Sequence, residues 1–365
     1  MKRSRAIAAR LALVVVGLLV GVLLAEGLAR VIAPDAAADL LFDAPSNAPD
    51  GMYVADRQLG WAPNPGFSGT LRSLGYSVPI RFNALGHRGV DAQSQGGWLV
   101  LGDSFTLAAQ VPEADTFIDR LRAGGLAAHN AGVDGYSTWH AHIRYLRAVD
   151  ALQPDGVLLI YFLGNDPGDD ERFAGGIHML PGAVHGQPLD SPAGGGFTAF
   201  LAQRSFVYGQ LRVWQRRRAL AASGGSDWNT DKWRAELRAF TRPGQNELQQ
   251  VLSRGSRRAL TRLRDEAKRR GDRLVVALAP PAFVVEEARR DATFTLVGLD
   301  PATADLDGPA RAVSAELTRL GVSTCDLTPP LRQAAASGES LYFTYDGHWT
   351  PAGHRVVAKA LADCL

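Results

Sequence analysis

Short apolar segments alternate with longer segments of helical periodicity from residue 98 to the end of the chain. We predict five strands, WLVLG at 98–102, LAAHNAG at 126–132, GVLLIYFLG at 156–164, RLVVALAP at 273–280 and GVSTCDL at 321–327. Continuous apolar runs of this length are typical of strands that are buried on both faces. Strands that alternate with helices predict a parallel sheet between two layers of helices. The predicted fold class is therefore α/β, with three αβα layers.

The rest of the sequence divides the chain into further regions. Residues 34–60 are rich in Ala, Asp and Pro and are predicted to form a stalk, and the turn signals at 61–96 predict a small lead-in subdomain. Residues 97–365 form the predicted αβα domain, in which helices are expected over 246–270, over 309–320 and from Pro351 onwards, with Thr350 as the cap of the last one. The alternation stops between 167 and 241, which predicts an insertion whose role as a lid stays open.

The first 33 residues have the pattern of an export signal. Lys2, Arg3, Arg5 and Arg10 precede an uncharged apolar run, Leu11–Leu24. We predict that residues 1–33 form a cytoplasmic tail and a signal anchor, a single-pass helix in the inner membrane. By the positive-inside rule, the catalytic domain would lie in the periplasm or outside the cell. A cleaved signal peptide, with the small residues Ala36–Ala38 at the cleavage site, remains the alternative.

Composition excludes several other classes of protein. The 39 Lys and Arg against 37 Asp and Glu give a net charge of +2, which predicts no nucleic-acid partner. Neither standard phosphate-binding glycine loop is present, and the two cysteines match no zinc motif, so no cofactor or metal is predicted. Cys325 and Cys364 form either a disulfide or two separate thiols.

Polar motifs follow the predicted strands at the edge where parallel α/β sheets bind ligands. GDSFT at 102–106 places Ser104 at a turn that opens a helix, a position that suits a nucleophile as well as a helix cap. NAGVDGYST at 130–138 offers the unshielded backbone amide of Gly135, and GND at 164–166 offers the amide side chain of Asn165. Either group can donate a hydrogen bond to a developing oxyanion, although both motifs also suit plain turns.

A fourth motif, YDGHWTP at 345–351, directly precedes the last predicted helix. His348 has the pKa range of a general base, and Asp346 is close enough in sequence to orient its imidazole. One edge of the sheet would thus collect a nucleophile, oxyanion donors and a base. These motifs predict acyl-transfer chemistry, provided that Ser104 and His348 meet in the folded chain.

The four motifs in this order resemble the SGNH hydrolases, also called the GDSL esterase and lipase superfamily, over about residues 83–365. The resemblance implies a flavodoxin-like sheet, Ser104 as the nucleophile, Ser104, Gly135 and Asn165 in the oxyanion hole, and Asp346 with His348 completing the triad. NALGHRG at 83–89 and the amino-terminal anchor are similar to membrane-anchored bacterial members, including relatives of the alginate acetylation proteins. The Asp-x-His spacing departs from the usual Asp-x-x-His and resembles that of the same branch.

The resemblance implies an extracytoplasmic serine esterase or O-acyltransferase that acts on acyl esters, such as O-acetyl esters of carbohydrate, through an acyl-enzyme. A lipid esterase and a catalytically silent glycan-binding module are the alternatives. The acyl group, the acceptor and the oligomeric state are not predicted. Arg88, ahead of the first strand, has either a packing role or a contact with a substrate carboxylate.

Overall fold

We obtained a computed structural model of the chain. It describes residues 2–32, 48–49, 51–72, 76–89, 95–174, 183–184, 187–188, 205, 207–208, 228–343 and 347–365. The strands are β1 (Tyr53–Asp56), β2 (Gly60–Pro63), β3 (Ser68–Arg72), β4 (Ser77–Arg81), β5 (Trp98–Leu101), β6 (Ala128–Asn130), β7 (Gly156–Phe162), β8 (Ala183–Val184), β9 (Gln187–Pro188), β10 (Arg273–Ala279) and β11 (Ser323–Asp326). Most of the predicted insertion at 167–241 lies outside the described residues.

Helices fill most of the remaining described chain. They are α1 (Lys2–Ile32), α2 (Ser104–Leu107), α3 (Phe117–Ala123), α4 (Thr138–Leu152), α5 (Asp166–Arg172), α6 (Trp228–Arg238), α7 (Gln245–Arg254), α8 (Ser256–Arg270), α9 (Ala282–Val285), α10 (Glu287–Leu296), α11 (Gly308–Leu320), α12 (Thr328–Ala336) and α13 (Pro351–Cys364).

A five-stranded parallel sheet forms the centre of the fold, in the order β6-β5-β7-β10-β11. The first strand of the sheet in chain order, β5, lies between the second and the third, which is the flavodoxin-like order. Alternate residues of a strand face opposite sides of a sheet. In β7, Leu159 packs in the core with α4, α7, α8 and α11, whereas Ile160 packs in the core with α3, α12 and α13. The structure confirms the predicted three-layer αβα architecture.

Two helices are interrupted where the sequence predicts continuity. The predicted helix over 246–270 is α7 followed by α8, because the backbone approaches Glu171 so closely at Gly255 that a Cβ would lie 2.3 Å from the Glu171 amide nitrogen. The sequence also predicts one helix that follows the strand at 98–102 and continues to about Leu121, and this prediction is wrong. Here α2 ends after one turn at Ala108, whose φ of 57° is left-handed, and the chain enters α3 only at Phe117.

Two antiparallel hairpins, β1–β2 and β3–β4, precede the sheet. Their buried side chains, including Met52 and Trp61, share a core with Leu107 of α2, which follows β5, and with Val133 and Tyr136 in the loop that follows β6. The hairpins therefore pack directly on the ends of the sheet strands. The domain limits given above remain a prediction, and β1 lies within the segment predicted as a stalk.

The amino-terminal segment is helical, and the apolar side chains described on α1, such as Leu13 and Leu23, are exposed. Searched over the described residues alone, the structure contains no helix with both the length and the apolar character that a bilayer crossing requires. The predicted transmembrane anchor is therefore not supported by the structure. At the other end of the chain, Cys325 of β11 and Cys364 of α13 are joined in a disulfide, which decides between the two alternatives for these residues.

Candidate active site

Ser104 stands on a tight turn at the carboxyl end of β5. Gly102 makes the turn with a φ of 145°, and a Cβ at this position would lie 2.8 Å from the carbonyl oxygen of Ile160. Asp103 caps the following helix, since its Oδ1 accepts a hydrogen bond from the Phe105 amide at 2.9 Å. Glycine and a capping aspartate thus place Ser104, which is half-buried, at the amino terminus of α2.

His348 meets Ser104 across 244 positions of sequence, with its Nε2 2.7 Å from the Ser104 Oγ. The Phe105 ring packs beside the imidazole, with 4.8 Å between the ring centroids. The His348 carbonyl accepts a hydrogen bond from the Phe343 amide, and Thr350 caps α13 by accepting from the Gly353 amide. A serine hydroxyl within hydrogen-bond reach of an imidazole is the geometry that an activated nucleophile needs. The third predicted member of the triad, Asp346, lies outside the described residues.

Gly135 lies in a turn that is joined to the Ser104 turn through the backbone. The Val133 amide donates to the Gly102 carbonyl at 3.1 Å, and the Tyr136 amide donates to the Val133 carbonyl at 3.2 Å. Gly135 is exposed and has a φ of 72°. The structure thus brings the predicted oxyanion loop beside the nucleophile loop.

Asn130, at the end of β6, fastens these two loops together with its side chain. Its amide nitrogen donates to the Thr106 carbonyl at 3.0 Å, and its amide oxygen accepts from the Gly132 amide at 3.1 Å. Sequence reasoning placed Asn130 only at the start of a motif. The signal in the sequence was its position at the end of a predicted strand, and the structure shows that Asn130 is buried there with its side chain bonded.

Asn165 follows β7 and forms the N-cap position of α5. Its amide nitrogen donates to the Asp169 Oδ2 at 2.9 Å. Since an amide carries two N–H groups, one hydrogen bond to Asp169 fixes the side chain while leaving the second N–H to another acceptor. The role of Asn165 in an oxyanion hole remains a prediction.

Two buried carboxyl groups adjoin predicted site residues in the chain, Asp103 beside Ser104 and Asp166 beside Asn165, and the sequence did not show that they are buried. Asp103 and Asp166 are each about 98 % buried or more. Burial raises the pKa of Asp103, while the nearby His348 acts in the opposite direction. Burial, followed by the charge of Asp103, raises the pKa of Asp166 well above its usual range. Because burial penalises the charged form, each of these carboxyl groups keeps its proton to a higher pH than a solvent-exposed aspartate does.

Arg88 has a packing role. Its guanidinium is buried and donates to the carbonyl oxygens of Leu107, Ala108 and Val111, with distances of 2.7 Å to Leu107 and 2.6 Å to Val111. These carbonyls belong to the last residue of α2 and to the turn after it, so Arg88 holds the chain in the left-handed turn that ends the nucleophile helix. Because the guanidinium is buried and bonded to these carbonyls, the structure favours the packing role over a contact with a substrate carboxylate.

Comparison with known proteins gives one family. Residues 240–365 match the model described as an SGNH hydrolase-like domain, acetyltransferase AlgX. The matched region contains His348 and the disulfide, whereas Ser104, Gly135 and Asn165 precede it. The match confirms the predicted resemblance to the SGNH hydrolases and to the alginate-acetylation branch. No curated protein matches the chain.

Solved structures that are similar to the chain share little sequence with it. An alpha/beta hydrolase enzyme from the metagenome of Lake Arreo is 16% identical with a TM-score of 0.38, covering 74% of this chain and 95% of that one. A lipolytic protein of the G-D-S-L family from Desulfitobacterium hafniense is 11% identical with a TM-score of 0.39, covering 74% and 100%. A catalytic mutant of an acetylxylan esterase from Geobacillus stearothermophilus is 14% identical with a TM-score of 0.35, covering 74% and 94%.

Proposed function

Because residues 240–365 match an SGNH hydrolase-like domain and Ser104 contacts His348, we propose that the chain is a serine esterase or O-acyltransferase. The observation that carries the proposal is the 2.7 Å distance between the Ser104 Oγ and the His348 Nε2. Nucleophile and base are thereby within proton-transfer distance before any substrate binds.

In the proposed mechanism the Ser104 Oγ attacks an ester carbonyl while the His348 Nε2 takes its proton. The negative charge that develops on the carbonyl oxygen is held by the amides of Ser104 and Gly135 and by the side chain of Asn165. Collapse of the tetrahedral intermediate releases the alcohol, which receives the proton from His348, and leaves an acyl-Ser104 enzyme. Asp346 is proposed to orient the imidazole.

The second half of the reaction transfers the acyl group from Ser104 to an acceptor. Activation of a water molecule by His348 gives an esterase, whereas activation of a sugar hydroxyl gives an O-acyltransferase. We propose acetyl esters of carbohydrate as the substrate class, supported by the description of the matching family as an acetyltransferase. The experiments below test this proposal against two alternatives, an esterase that acts on lipid esters and a catalytically silent glycan-binding module.

The proposal is tested by hydrolysis of p-nitrophenyl acetate and by labelling with a fluorophosphonate, which reacts readily only with an activated serine. Ser104→Ala is expected to abolish both reactions. Ser323→Ala, which alters an exposed serine on β11, is the matched control and should leave both unchanged. Activity or labelling that survives in Ser104→Ala would refute the assignment, and glycan binding by a wild-type protein that is never labelled would favour the silent module.

Substrate class and transfer are then tested by mass spectrometry of the wild-type protein. Incubation with an acetylated oligosaccharide should add an acetyl group to the peptide that contains Ser104. Addition of a deacetylated oligosaccharide should then remove the acetyl group from Ser104. Formation of an acetylated oligosaccharide identifies a transferase, whereas formation of acetate identifies an esterase. An adduct formed only from long-chain lipid esters would contradict the carbohydrate proposal.

We propose a location outside the cytoplasm for the described domain. The Cys325–Cys364 disulfide supports this location, because disulfides persist in oxidising compartments. The basic residues ahead of the apolar run at 11–24 also support it. Alkylation of whole-cell protein without reductant should leave both cysteines unmodified, and alkylation of both at once would contradict the proposal.

A further inference from the structure

The indole of Trp61 reaches from the β1–β2 hairpin into the turn that contains Gly135. The Nε1 of Trp61 donates to the backbone carbonyl of Asp134 at 3.2 Å, across 73 positions of sequence. Trp61 is 4 % exposed, and its own carbonyl accepts a hydrogen bond from the Tyr136 hydroxyl at 2.6 Å. The Trp61 and Tyr136 rings pack edge to face with 5.3 Å between their centroids. The indole is therefore held firmly at this turn.

The turn itself is a β-turn, a type of turn whose central peptide can take either of two opposite orientations. The hydrogen bond from the Tyr136 amide to the Val133 carbonyl closes a β-turn in which Asp134 and Gly135 are the central residues. Gly135 has a positive φ whereas Asp134 does not, which is the signature of a type II turn. A type I turn differs from type II mainly by a rotation of the central peptide through about 180°. Rotation of that single peptide would reverse the direction of the Gly135 N–H.

The carbonyl that Trp61 binds and the Gly135 N–H belong to the same peptide group. A trans peptide is planar, so its C=O and its N–H point in opposite directions. A hydrogen bond from Trp61 to the Asp134 carbonyl therefore fixes the direction of the Gly135 N–H. The same bond withdraws electron density from the peptide and makes its N–H a better donor, as in other hydrogen-bond chains.

We propose that Trp61 is a positioning residue for the oxyanion hole: its indole N–H locks the Asp134–Gly135 peptide in the orientation that presents the Gly135 N–H to the oxyanion. The proposal rests on the esterase function proposed above. It assigns a role in the reaction to the β1–β2 hairpin, which lies outside the αβα layers.

A neighbouring side chain provides a matched control. Tyr53 of the same hairpin donates its hydroxyl to the Asp134 Oδ2 at 3.0 Å. This bond holds the side chain of Asp134. Burial raises the pKa of Tyr53, whereas a hydrogen bond between the Tyr53 hydroxyl and the backbone of Asp134 acts in the opposite direction. The donor of that second bond is therefore the Asp134 N–H, which belongs to the Val133–Asp134 peptide and not to the Asp134–Gly135 peptide. Loss of either hydrogen bond weakens the contact between hairpin and turn, but only loss of the Trp61 bond frees the central peptide to rotate.

The test compares p-nitrophenyl acetate with its thionoester analogue, in which sulfur replaces the carbonyl oxygen. Sulfur is a poor hydrogen-bond acceptor, so hydrolysis of the thionoester gains little from an oxyanion hole. Trp61→Phe keeps an aromatic ring but removes the donor. We expect it to lower kcat/KM for the ester about tenfold, below the 10²–10³-fold cost of losing an oxyanion donor outright. The value for the thionoester should change much less, so the ester-to-thionoester ratio falls about tenfold.

A second variant separates the lost hydrogen bond from altered packing. Benzothienylalanine at position 61 has nearly the shape of tryptophan but carries sulfur in place of the N–H, and it should lower the ratio as Trp61→Phe does. Tyr53→Phe should leave the ratio unchanged. Thermal unfolding midpoints of all variants establish that they are folded.

The proposal would be overturned if the position-61 variants lost kcat/KM equally with both substrates, so that their ester-to-thionoester ratio stayed unchanged. It would also be overturned if this ratio fell by the same factor in Tyr53→Phe. Wild-type activity that persists in Ser104→Ala would instead refute the esterase function itself. That comparison is made first, so the two failures are distinguished.

Discussion

Replacement of Asp170 by asparagine should remove a pH-dependent part of the stability. Asp170 lies on α5 and is fully buried, with its Oδ1 accepting from the Thr138 amide at 2.8 Å and its Oδ2 from the Thr138 hydroxyl at 3.0 Å. Burial raises its pKa from 3.8 to about 7, against hydrogen bonds from Ser256 and Thr138 that act in the opposite direction. The folded protein therefore holds a proton on Asp170 that the unfolded chain loses above about pH 4.

The sign and size of the effect follow from this difference. A raised pKa means that the contribution of Asp170 is fully present below the unfolded pKa and is lost as the pH rises through the folded pKa. A rise in the pKa of Asp170 from 3.8 to about 7 corresponds to about 4 kcal/mol of unfolding free energy in total. Since part of the loss occurs below pH 5, the free energy of unfolding should fall by about 3 kcal/mol between pH 5 and pH 8 because of Asp170 alone.

Asp170→Asn should lack this decrease, because an amide does not titrate and can still accept from the Thr138 amide. Urea unfolding at pH 5, 6, 7 and 8, followed by tryptophan fluorescence, measures the difference in unfolding free energy between variant and wild type. The unfolding free energy of the variant minus that of the wild type should increase by about 3 kcal/mol between pH 5 and pH 8. Asp363→Asn, which alters an exposed carboxylate on α13, is the control and should follow the wild type. Parallel pH profiles of Asp170→Asn and wild type would refute the reasoning.

Three further outcomes are expected. Arg88→Lys loses the planar group that bonds several buried carbonyls, so its free energy of unfolding in urea should be about 3 kcal/mol lower than that of the wild type. An unchanged unfolding midpoint would contradict this role of Arg88. Joint replacement of Cys325 and Cys364 by serine opens a cross-link over 39 positions and should cost about 4 kcal/mol in the same assay, whereas a loss near zero would mean that the cross-link adds no stability. Asn165→Ala should lower kcat for p-nitrophenyl acetate by about 10²–10³-fold with little change in KM, and full activity would remove Asn165 from the oxyanion hole.

The central layers could be predicted from the sequence because buried strands leave a strong pattern. The run at 156–164 is apolar throughout, and β7 occupies 156–162 within it. Helix ends were predicted less well where tertiary contacts decide them. The turn at Ala108 depends on Arg88, and the break at Gly255 depends on the approach of Glu171. Neither contact has a signal in the local sequence.

The site was predictable only in part for a similar reason. Motif positions at strand ends placed Ser104 and His348 at one edge, where the structure brings them together. The buried carboxyl groups of Asp103 and Asp166 were missed, because aspartate in a sequence ordinarily indicates a surface or a cap. The contact of Trp61 with the Gly135 turn was missed because it joins two loops that no periodicity relates.

The segment ahead of the αβα domain, residues 48–96, is called the lead-in segment here. It contacts the loops that carry the predicted site residues, so we expect the αβα domain to depend on it. Trp61 binds the turn of Gly135, and Arg88 binds carbonyls at the end of α2 and after it. The Tyr76 ring lies 6.2 Å from the ring of Phe343, whose amide donates to the His348 carbonyl. A chain that begins at residue 97 would expose the apolar groups beneath the hairpins and release all three loops. It should be less stable than a chain that begins at residue 48 and should hydrolyse p-nitrophenyl acetate at least tenfold more slowly, as expected when oxyanion donors are misplaced. Equal activity and equal unfolding midpoints of the two chains would show that the αβα layers organise the site without the lead-in segment.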